Sequence, residues 1–548
     1  MNQCQISDLL DESDTNLNSS LSSFDDTDDD PDWENDDIDN QGENYRSEEE
    51  NEVTSEWIDI SEQPNMNSNI VFNPNNDDVG INPDITETMV SLSPFDFFSL
   101  FFDDEVINLL VVETNKYAQD KLNKQENSRS ARIKKWTDID KEELKCFFGI
   151  VMWMGLNKKP SIAHYWKSDN FLYKCEIPKY MSRNRFELIL SVLHVSDNSK
   201  APPNNRLYKI QPLVDILVNK YNNALIPEKN LCIDESMVPF LGRLSFRQYI
   251  ANKRHRYGVK IFKLCTRDFY TSQYKIYAGK EAVPGQLVSC KVVMELMQPY
   301  LDSGRCLYAD NWYTSIDLAE KLLDRHTHLV GTLRSNRKRN PKEVIAKKLV
   351  RGGVISKQNR RGIMVLKWRD RRDVLMLSTM HTNLMINVNQ RRTVIEKPKV
   401  IADYNRGKSY IDLTDQMGSY HSCLRKSLKW YRKIMFDIIC NTSMINALSL
   451  YTGVTGNRMK LVEFREAVIQ GLLSNKNTTH VPTQIKNEHL LEKTSTTGRC
   501  KRCYEIISKE KGTNVARNKA KRVKTMCTTC GNHYCTECFF VNHKARFN

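Results

Sequence analysis

Basic residues are almost missing from the first 90 positions, where Arg46 alone stands against 26 Asp and Glu for a net charge of −25. Such a segment cannot bury enough apolar surface to offset its ordering entropy, which excludes a core of its own. Residues 1–93 are expected to be a disordered acidic tail: a solvated extension, an acid-directed kinase target, or an internal mimic of DNA. Also missing is any uninterrupted apolar run near the roughly 18 residues that a membrane span needs. No early basic stretch leads into an apolar core of about 7 to 15 residues, as a secretory signal would. The expectation is an intracellular protein with no membrane partner. No internal repeat divides the 548 residues, so a solenoid is excluded.

What remains is charged the other way. Beyond residue 90 there are 79 Lys and Arg against 42 Asp and Glu, a net of +37. Lys and Arg neutralise phosphates and release condensed counterions, so a nucleic acid is the natural partner; a soluble basic protein of another kind has the same balance. The length points to three or four domains rather than one core. Of 15 cysteines, nine are scattered between Cys4 and Cys440 and six crowd into Cys500 to Cys538. The scattered ones suit small core hydrophobes in a reducing compartment.

The texture turns helical at Pro94. Phe102, Val106, Leu109, Leu110 and Tyr117 recur at helical spacing, as do Leu144, Phe147, Phe148, Val151 and Met154, and Ser182 opens a third helix through Val195. A helical domain is expected over 94–229. Strands follow at 231–239, 258–266, 273–279, 305–310 and 328–334, with helices at 287–301 and 315–326. Three successive strands predict an antiparallel meander and the alternating remainder predicts parallel crossovers, together an α/β mixed sheet with the order of a ribonuclease H-like fold. Its first part covers 230–339, a β-rich insertion 340–399, and its second part 400–420. Helices return over 421–471, a polar linker spans 472–497, and the cysteine-rich module occupies 498–548.

Three aspartates stand where a divalent metal would be held. Asp234 lies in the run Leu231 to Val238, Asp310 closes Cys306 to Ala309, and Asp412 with Asp415 opens a helix. Carboxylates converging from separate elements can hold Mg²⁺ (or Mn²⁺), and two such ions serve phosphodiester chemistry. Successive strand side chains alternate faces, so Asp234 fits such a site and Glu235 is expected to pair with a basic neighbour. Asp412 and Asp415, three apart on a helix, share a face. In the terminal module, Cys500, Cys503, Cys527, Cys530, His533, Cys535, Cys538 and His543 offer eight ligands, enough for two tetrahedral Zn²⁺ ions. His533 is the least secure of them.

These residues sit within a longer series of motifs: Glu113-Thr114-Asn115, Met154-Gly155-Leu156, Tyr165-Trp166, Met181 to Phe186, Ile233-Asp234-Glu235, Asp310 to Ser315, Gly331 to Arg334, and Asp412 to Gln416. In that joint order, from about Phe101 to the C terminus, the chain resembles the piggyBac-like DDE transposases. The resemblance implies that Asp234, Asp310 and Asp412 are the catalytic triad, supported by Asp415. It implies cut-and-paste cleavage of transposon ends, a hairpin on the freed end, and joining to TTAA target DNA. It also implies cross-braced pairing of the zinc ligands, dimerisation and DNA binding by the helical domain 94–229, a homodimer on terminal inverted repeats, and work in the nucleus. One departure is Ser409-Tyr410 just before the third aspartate, where the family has two glycines.

Basic clusters flank the core. Lys253, Arg254, Arg256, Arg334, Arg337, Lys338, Arg372, Lys429 and Lys433 are candidate phosphate contacts, although a single cluster is ordinarily a solvated face. Trp312 and Trp430 match aromatic positions of the family and suit either base stacking or core packing. Arg517 to Lys524 is a basic tract for DNA or nuclear import. Two other readings stand beside the transposase: a domesticated DNA-binding descendant with little chemistry, and a ubiquitin ligase or chromatin reader built on the zinc module. The three aspartates have no part in the last.

Overall fold

The computed structural model describes residues 57–60, 65, 67–73, 79–123, 132–167, 171–203, 205–250, 255–279, 288–390, 393–425, 427, 429–474, 491–528 and 530–544. They fall into two compact units, one reaching Ser474 and the other following it. The first opens with strand β1 (Trp57–Asp59). Short strands β2 (Gly80–Ile81) and β3 (Leu225–Ile226) then bracket helices α1 (Pro83–Met89), α2 (Pro94–Ser99), α3 (Asp104–Asn123), α4 (Lys141–Leu156), α5 (Arg183–Val192) and α6 (Gln211–Ala224). Helix starts are set locally by side chains that satisfy orphan amides. Asp140 accepts from the Glu143 amide at 2.8 Å and Ser182 from the Arg185 amide at 3.3 Å.

Next comes the sheet. Strands β4 (Asn230–Pro239), β5 (Gln248–Tyr249), β6 (Tyr257–Cys265) and β7 (Thr271–Ile276) are antiparallel neighbours around β6. Helix α7 (Val288–Met297) crosses to β8 (Cys306–Ala309), and α8 (Ile316–Leu323) crosses to β9 (His328–Thr332). Both arriving strands lie parallel to their neighbours, β8 on β4 and β9 on β8. The spatial order is therefore β7-β6-β4-β8-β9, with the first strand of the meander in the middle.

Residues 340–399 hold α9 (Lys342–Ala346) and strands β10 (Val354–Asn359), β11 (Met364–Arg369), β12 (Asp373–Ser378), β13 (Met385–Gln390) and β14 (Thr393–Pro398). The segment is not a separate insertion throughout. β12 pairs antiparallel with β9, so β10 to β12 lengthen the main sheet, while β13 and β14 pair only with each other. Helices α10 (Lys399–Gly407) and α11 (Ser409–Ser419) follow.

Side-chain alternation sorts the sheet into two covered faces. Leu231, Ile233, Phe262, Leu264, Leu307, Ala309 and Leu329 pack with α7 and α8. Cys232, Cys265, Cys306, Tyr308 and Val330 point the other way and pack with Val400, Ile401 and Tyr404 of α10 and Ile411 of α11.

Helices α12 (Trp430–Asp437), α13 (Ser443–Thr455) and α14 (Leu461–Leu473) close the unit, with a π-helical turn at Ile438–Thr442. They share one core with α1 to α6. The Phe148 ring lies 4.9 Å from Phe102 and 6.0 Å from Phe436, and Phe97 lies 5.4 Å from Tyr451. Trp430–Thr455 is long and apolar enough to cross a membrane by length and composition, unlike anything seen in the bare sequence pattern, yet its apolar stretch is wholly buried in protein.

Two expectations need correction. Residues 57–59, placed in the disordered tail, form β1 and pair with β10, Trp57 opposite Asn359. The buried Asn65 amide then donates to the carbonyls of Gly362 at 3.1 Å and His381 at 2.9 Å. Composition averaged over 90 residues hid this short strand. The supposed linker 472–497 contains the start of β15 (Leu491–Arg499), which pairs with β16 (Arg522–Cys527) in the second unit. That unit adds α15 (Lys501–Lys511), α16 (Thr513–Lys519) and α17 (Thr536–Lys544). Residues 79–93, also placed in that tail, hold β2 and α1, while residues 1–56 and 475–490 lie outside the described residues.

Phe148→Ala tests whether early and late helices form one body. A buried Phe replaced by Ala costs roughly 3–5 kcal/mol. The urea midpoint should fall in a single transition with an unchanged slope, whereas two separate transitions would show independent helical domains.

Candidate active site

Two of the three aspartates are brought together by backbone pairing. Ile233 of β4 stands opposite Ala309 of β8 in the parallel register, so Asp234 and Asp310 follow at adjacent positions on neighbouring strands. Asp234 shares the parity of Cys232, and Asp310 that of Cys306 and Tyr308, which places both on the face covered by α10 and α11. Asp310 Oδ1 accepts from the Trp312 amide at 2.8 Å, a turn that ends the strand and starts the path to α8. Asp234 Oδ1 accepts from the next amide, that of Glu235, at 2.8 Å.

The third aspartate arrives on α11. Asp412 lies in the first turn of this helix and is exposed, and Asp415 is one turn on. Asp415 Oδ1 accepts from Ser236 Oγ at 2.5 Å and from Lys263 Nζ at 3.2 Å, which ties the helix to β4 and β6. Electrostatics shows the same convergence. Burial pushes the Cys232 thiol well up, and Asp234, Cys265 and Asp412 push it further. Burial also raises the Tyr404 hydroxyl, helped by the charges of Asp310 and Asp234.

Asp310 is raised above the ordinary carboxylate range, first by burial and then by the nearby Glu235 charge, while the Trp312 amide and Arg334 act against the rise. Glu235 belongs to the opposite face, as strand alternation requires, and its carboxylate accepts from Tyr313 OH at 3.5 Å. Hard oxygen donors with excess negative charge, one of them solvent-facing, suit a divalent cation such as Mg²⁺. The aspartates converge on one end of one sheet face. Among the described residues, however, only Cys500, Cys503, Cys535 and Cys538 bring three or more ligating atoms mutually within 4.8 Å.

The basic candidates divide by exposure. Arg256, Arg334, Lys338 and Arg372 are exposed. Arg334 Nε donates to Asn311 Oδ1 at 3.1 Å, so it is held beside Asp310. Half-buried Arg337 donates to the Trp312 carbonyl at 2.5 Å and braces that loop. Lys429 is half-buried, and Lys253 and Arg254 lie outside the described residues. Of the two roles open to Trp430 the structure takes one, and half-buried Lys433 is engaged by the protein itself. Trp430 is 4% exposed and packs edge-on to Phe246 and Tyr431, so core packing has taken it rather than a base. Lys433 turns inward and donates to the Pro239 carbonyl at 2.6 Å. Trp312 is half-buried, stacked on Phe262 at 5.7 Å with the Lys260 ammonium 4.2 Å from its ring. Ser236, Lys263, Tyr313 and Tyr404 escaped the sequence reading. The available signal was Lys263, a charge inside the apolar strand Tyr257–Cys265.

In the second unit, Cys500 and Cys503 at the start of α15 meet Cys535 and Cys538 at the start of α17. The sulfurs of Cys500 and Cys535 are 3.8 Å apart, those of Cys503 and Cys535 4.0 Å, and those of Cys503 and Cys538 3.5 Å. A tetrahedral Zn²⁺ with bonds of about 2.3 Å sets its sulfurs roughly 3.8 Å apart, so this donor set fits zinc. First and third pairs combine, skipping the second, as cross-bracing requires. The second pair, Cys527 and Cys530, has its sulfurs 3.2 Å apart. His533 Nδ1 stands 3.2 Å from the Thr525 carbonyl. His543 is on α17, but its side chain lies outside what is described.

Residues 93–448 match the family described as Transposase IS4. The human PiggyBac transposable element-derived protein 3 is 27% identical over 400 residues, covering 69% of this chain and 65% of the relative. The human Chimeric ERCC6-PGBD3 protein is 27% identical over 400 residues, covering 69% of this chain but 36% of its own. The match thus spans less than two thirds of either relative. A solved cryo-EM structure, a piggyBac transposase synaptic complex with hairpin DNA, is 25% identical with a TM-score of 0.64, covering 84% of this chain and 97% of that one.

Two measurements check the site. Asp310→Asn should raise the melting temperature at pH 7 in EDTA, because the ionised carboxylate is held at a cost from burial and Glu235. The group's folded pKa is raised, so the advantage of Asn should begin to shrink as pH falls through the raised value and be gone below the ordinary carboxylate value, where folded and unfolded forms are both protonated. For the second unit, Cys503→Ser should lower the zinc content measured by elemental analysis by about one ion per chain. No loss would rule out the four-cysteine site.

Proposed function

The chain belongs to the piggyBac-like DDE transposases, and from that premise we propose that it is an active DNA-cutting and strand-joining enzyme with a ribonuclease H-like core. The observation that carries the proposal is the meeting of Asp234 and Asp310 on adjacent parallel strands, on the face that receives the helix of Asp412. These three would hold Mg²⁺ or Mn²⁺, with two ions when fully loaded. When bound, the ions activate the attacking oxygen and stabilise the leaving one in phosphodiester exchange.

The chain's own residues do the rest. Asp415, held by Ser236 and Lys263, braces the helix that carries Asp412. Arg334, exposed beside Asp310, and exposed Lys338 four residues on suit phosphate contacts, and Arg337 holds their loop. The substrate is double-stranded DNA: terminal inverted repeats first, TTAA target second, with a hairpin between, as the family resemblance implies and as the hairpin complex of the solved relative supports. A homodimer, a nuclear site of action and a two-zinc DNA-binding module from Cys500, Cys503, Cys527, Cys530, His533, Cys535, Cys538 and His543 complete the proposal.

The curated relatives are named as derived from transposable elements, which favours a second reading: a DNA-binding descendant with little chemistry. Presence of all four acids argues for the enzyme. The two separate on linear DNA carrying the genomic sequence that flanks the reading frame. With Mg²⁺, wild type should nick and join this DNA, and Asp310→Ala should lose roughly 100-fold or more of the activity while still binding. If both proteins bind and neither cuts, the descendant reading stands.

A further inference from the structure

Lys263 is a charged side chain in the middle of the sheet. It is 5% exposed, on a strand whose other inward residues are Val259, Ile261, Phe262, Leu264 and Cys265. In register it stands opposite Asp234 on one side and Tyr274 on the other, so Asp234, Lys263 and Tyr274 form one row across β4, β6 and β7. Directly opposed residues point to the same face, the one on which α11 rests.

From that row Lys263 touches one acid and lies in the field of a second on another helix. Its Nζ donates to Asp415 Oδ1 of α11 at 3.2 Å, and it feels the charge of Asp437 at the end of α12. Asp437 is 8% exposed and accepts from Tyr274 OH at 3.2 Å and from Asn441 Nδ2 at 3.1 Å. Asn441 lies in the π-helical turn, where fully buried Arg465 of α14 donates to the Cys440 carbonyl at 2.9 Å. Lys263 thus ties α11 to the sheet, and Tyr274 in the same row ties the sheet to the late helical body.

A buried ion pair is poor evidence for stability, since an apolar side chain of similar size commonly does as well, but it is a sound device for fixing register. Helix α11 needs such a device. Asp412, three residues before Asp415, is exposed and has no strand pairing to set its position, unlike Asp234 and Asp310.

We propose that Lys263 is a positioning residue for the reaction: through Asp415 it fixes where α11 docks on the sheet, and so where Asp412 stands relative to Asp234 and Asp310. This rests on the proposed metal-dependent chemistry, because only a shared ion makes that placement matter.

The test compares the full-length protein with K263M, D415N and the K263M/D415N double variant. Amide hydrogen exchange over 409–419, followed without metal or DNA, should accelerate in K263M and in D415N. The half-saturating Mn²⁺ concentration, read by electron paramagnetic resonance, should rise about tenfold or more in each. The double variant should be no worse than the worse single one, because both changes remove one contact. Should K263M fail to fold, K263R takes its place: with the charge kept, it should match wild type in both readouts while D415N does not. Unchanged exchange over 409–419, an unchanged Mn²⁺ response, or effects that simply add would each overturn the positioning role. A wild type that fails to bind Mn²⁺, with exchange still responding to K263M, sinks the proposed function instead, and the catalytic meaning of the strut with it.

Discussion

Everything at the site depends on a four-residue parallel pairing, β4 with β8. Backbone hydrogen bonding sets the register, Ile233 against Ala309, and the register delivers Asp234 and Asp310 side by side. A slip of one residue would send an acid through the sheet to the face of α7 and α8. The apolar neighbours guard against this. Leu231 and Ile233 on one strand and Leu307 and Ala309 on the other are buried together under the crossover helices, so the hydrophobic pattern that closes one face aims the carboxylates at the other.

Much of this was legible in the sequence, for local reasons. The meander, the two crossover helices and the strand carrying each aspartate follow from period-2 and period-3.6 patterns over short windows. The adjacency of Asp234 and Asp310 followed from the fold order that those elements imply. The helix start at Ser182 was visible, and Asp140 and Ser315, not among the expected caps, cap their helices in the same way. Pairings between distant segments were not visible: the union of β12 with β9, or of Trp57 with Asn359, is decided by tertiary contacts with no trace in a local window. The choice of role for Trp430 and the direction of Lys433 were out of reach for the same cause. On paper they are an aromatic and a cation in a basic stretch, and only packing shows that both face inward.

Charge has two separate uses in this chain. On the surface, Arg256, Arg334, Lys338 and Arg372 keep their cations in solvent, where they can meet phosphate. Inside, Lys263, Arg432 and Arg465 spend theirs on protein oxygens: Asp415, the carbonyls of Leu193 and Ser191, and the carbonyl of Cys440. These buried contacts are long-range in sequence, and each binds a segment from one part of the chain to one from another. Lys263 ties α11 to the sheet and the two arginines tie helices to one another, while Tyr274 OH on Asp437 and Asn446 on the Thr271 carbonyl join the sheet to the helical body beside their common apolar core.

The placement of β1 has a consequence for any shortened form of the chain. Its three residues cover the outer edge of β10 from Lys357 to Asn359, and Lys357 on that strand also pairs with Asp59 at 3.1 Å. A truncation that discards the acidic leader past Asp59 would leave β10 as an open template for strands of other molecules, the usual starting point for aggregation. The acidic region therefore carries within it a guard for part of the sheet edge, and trimming past it would expose that edge.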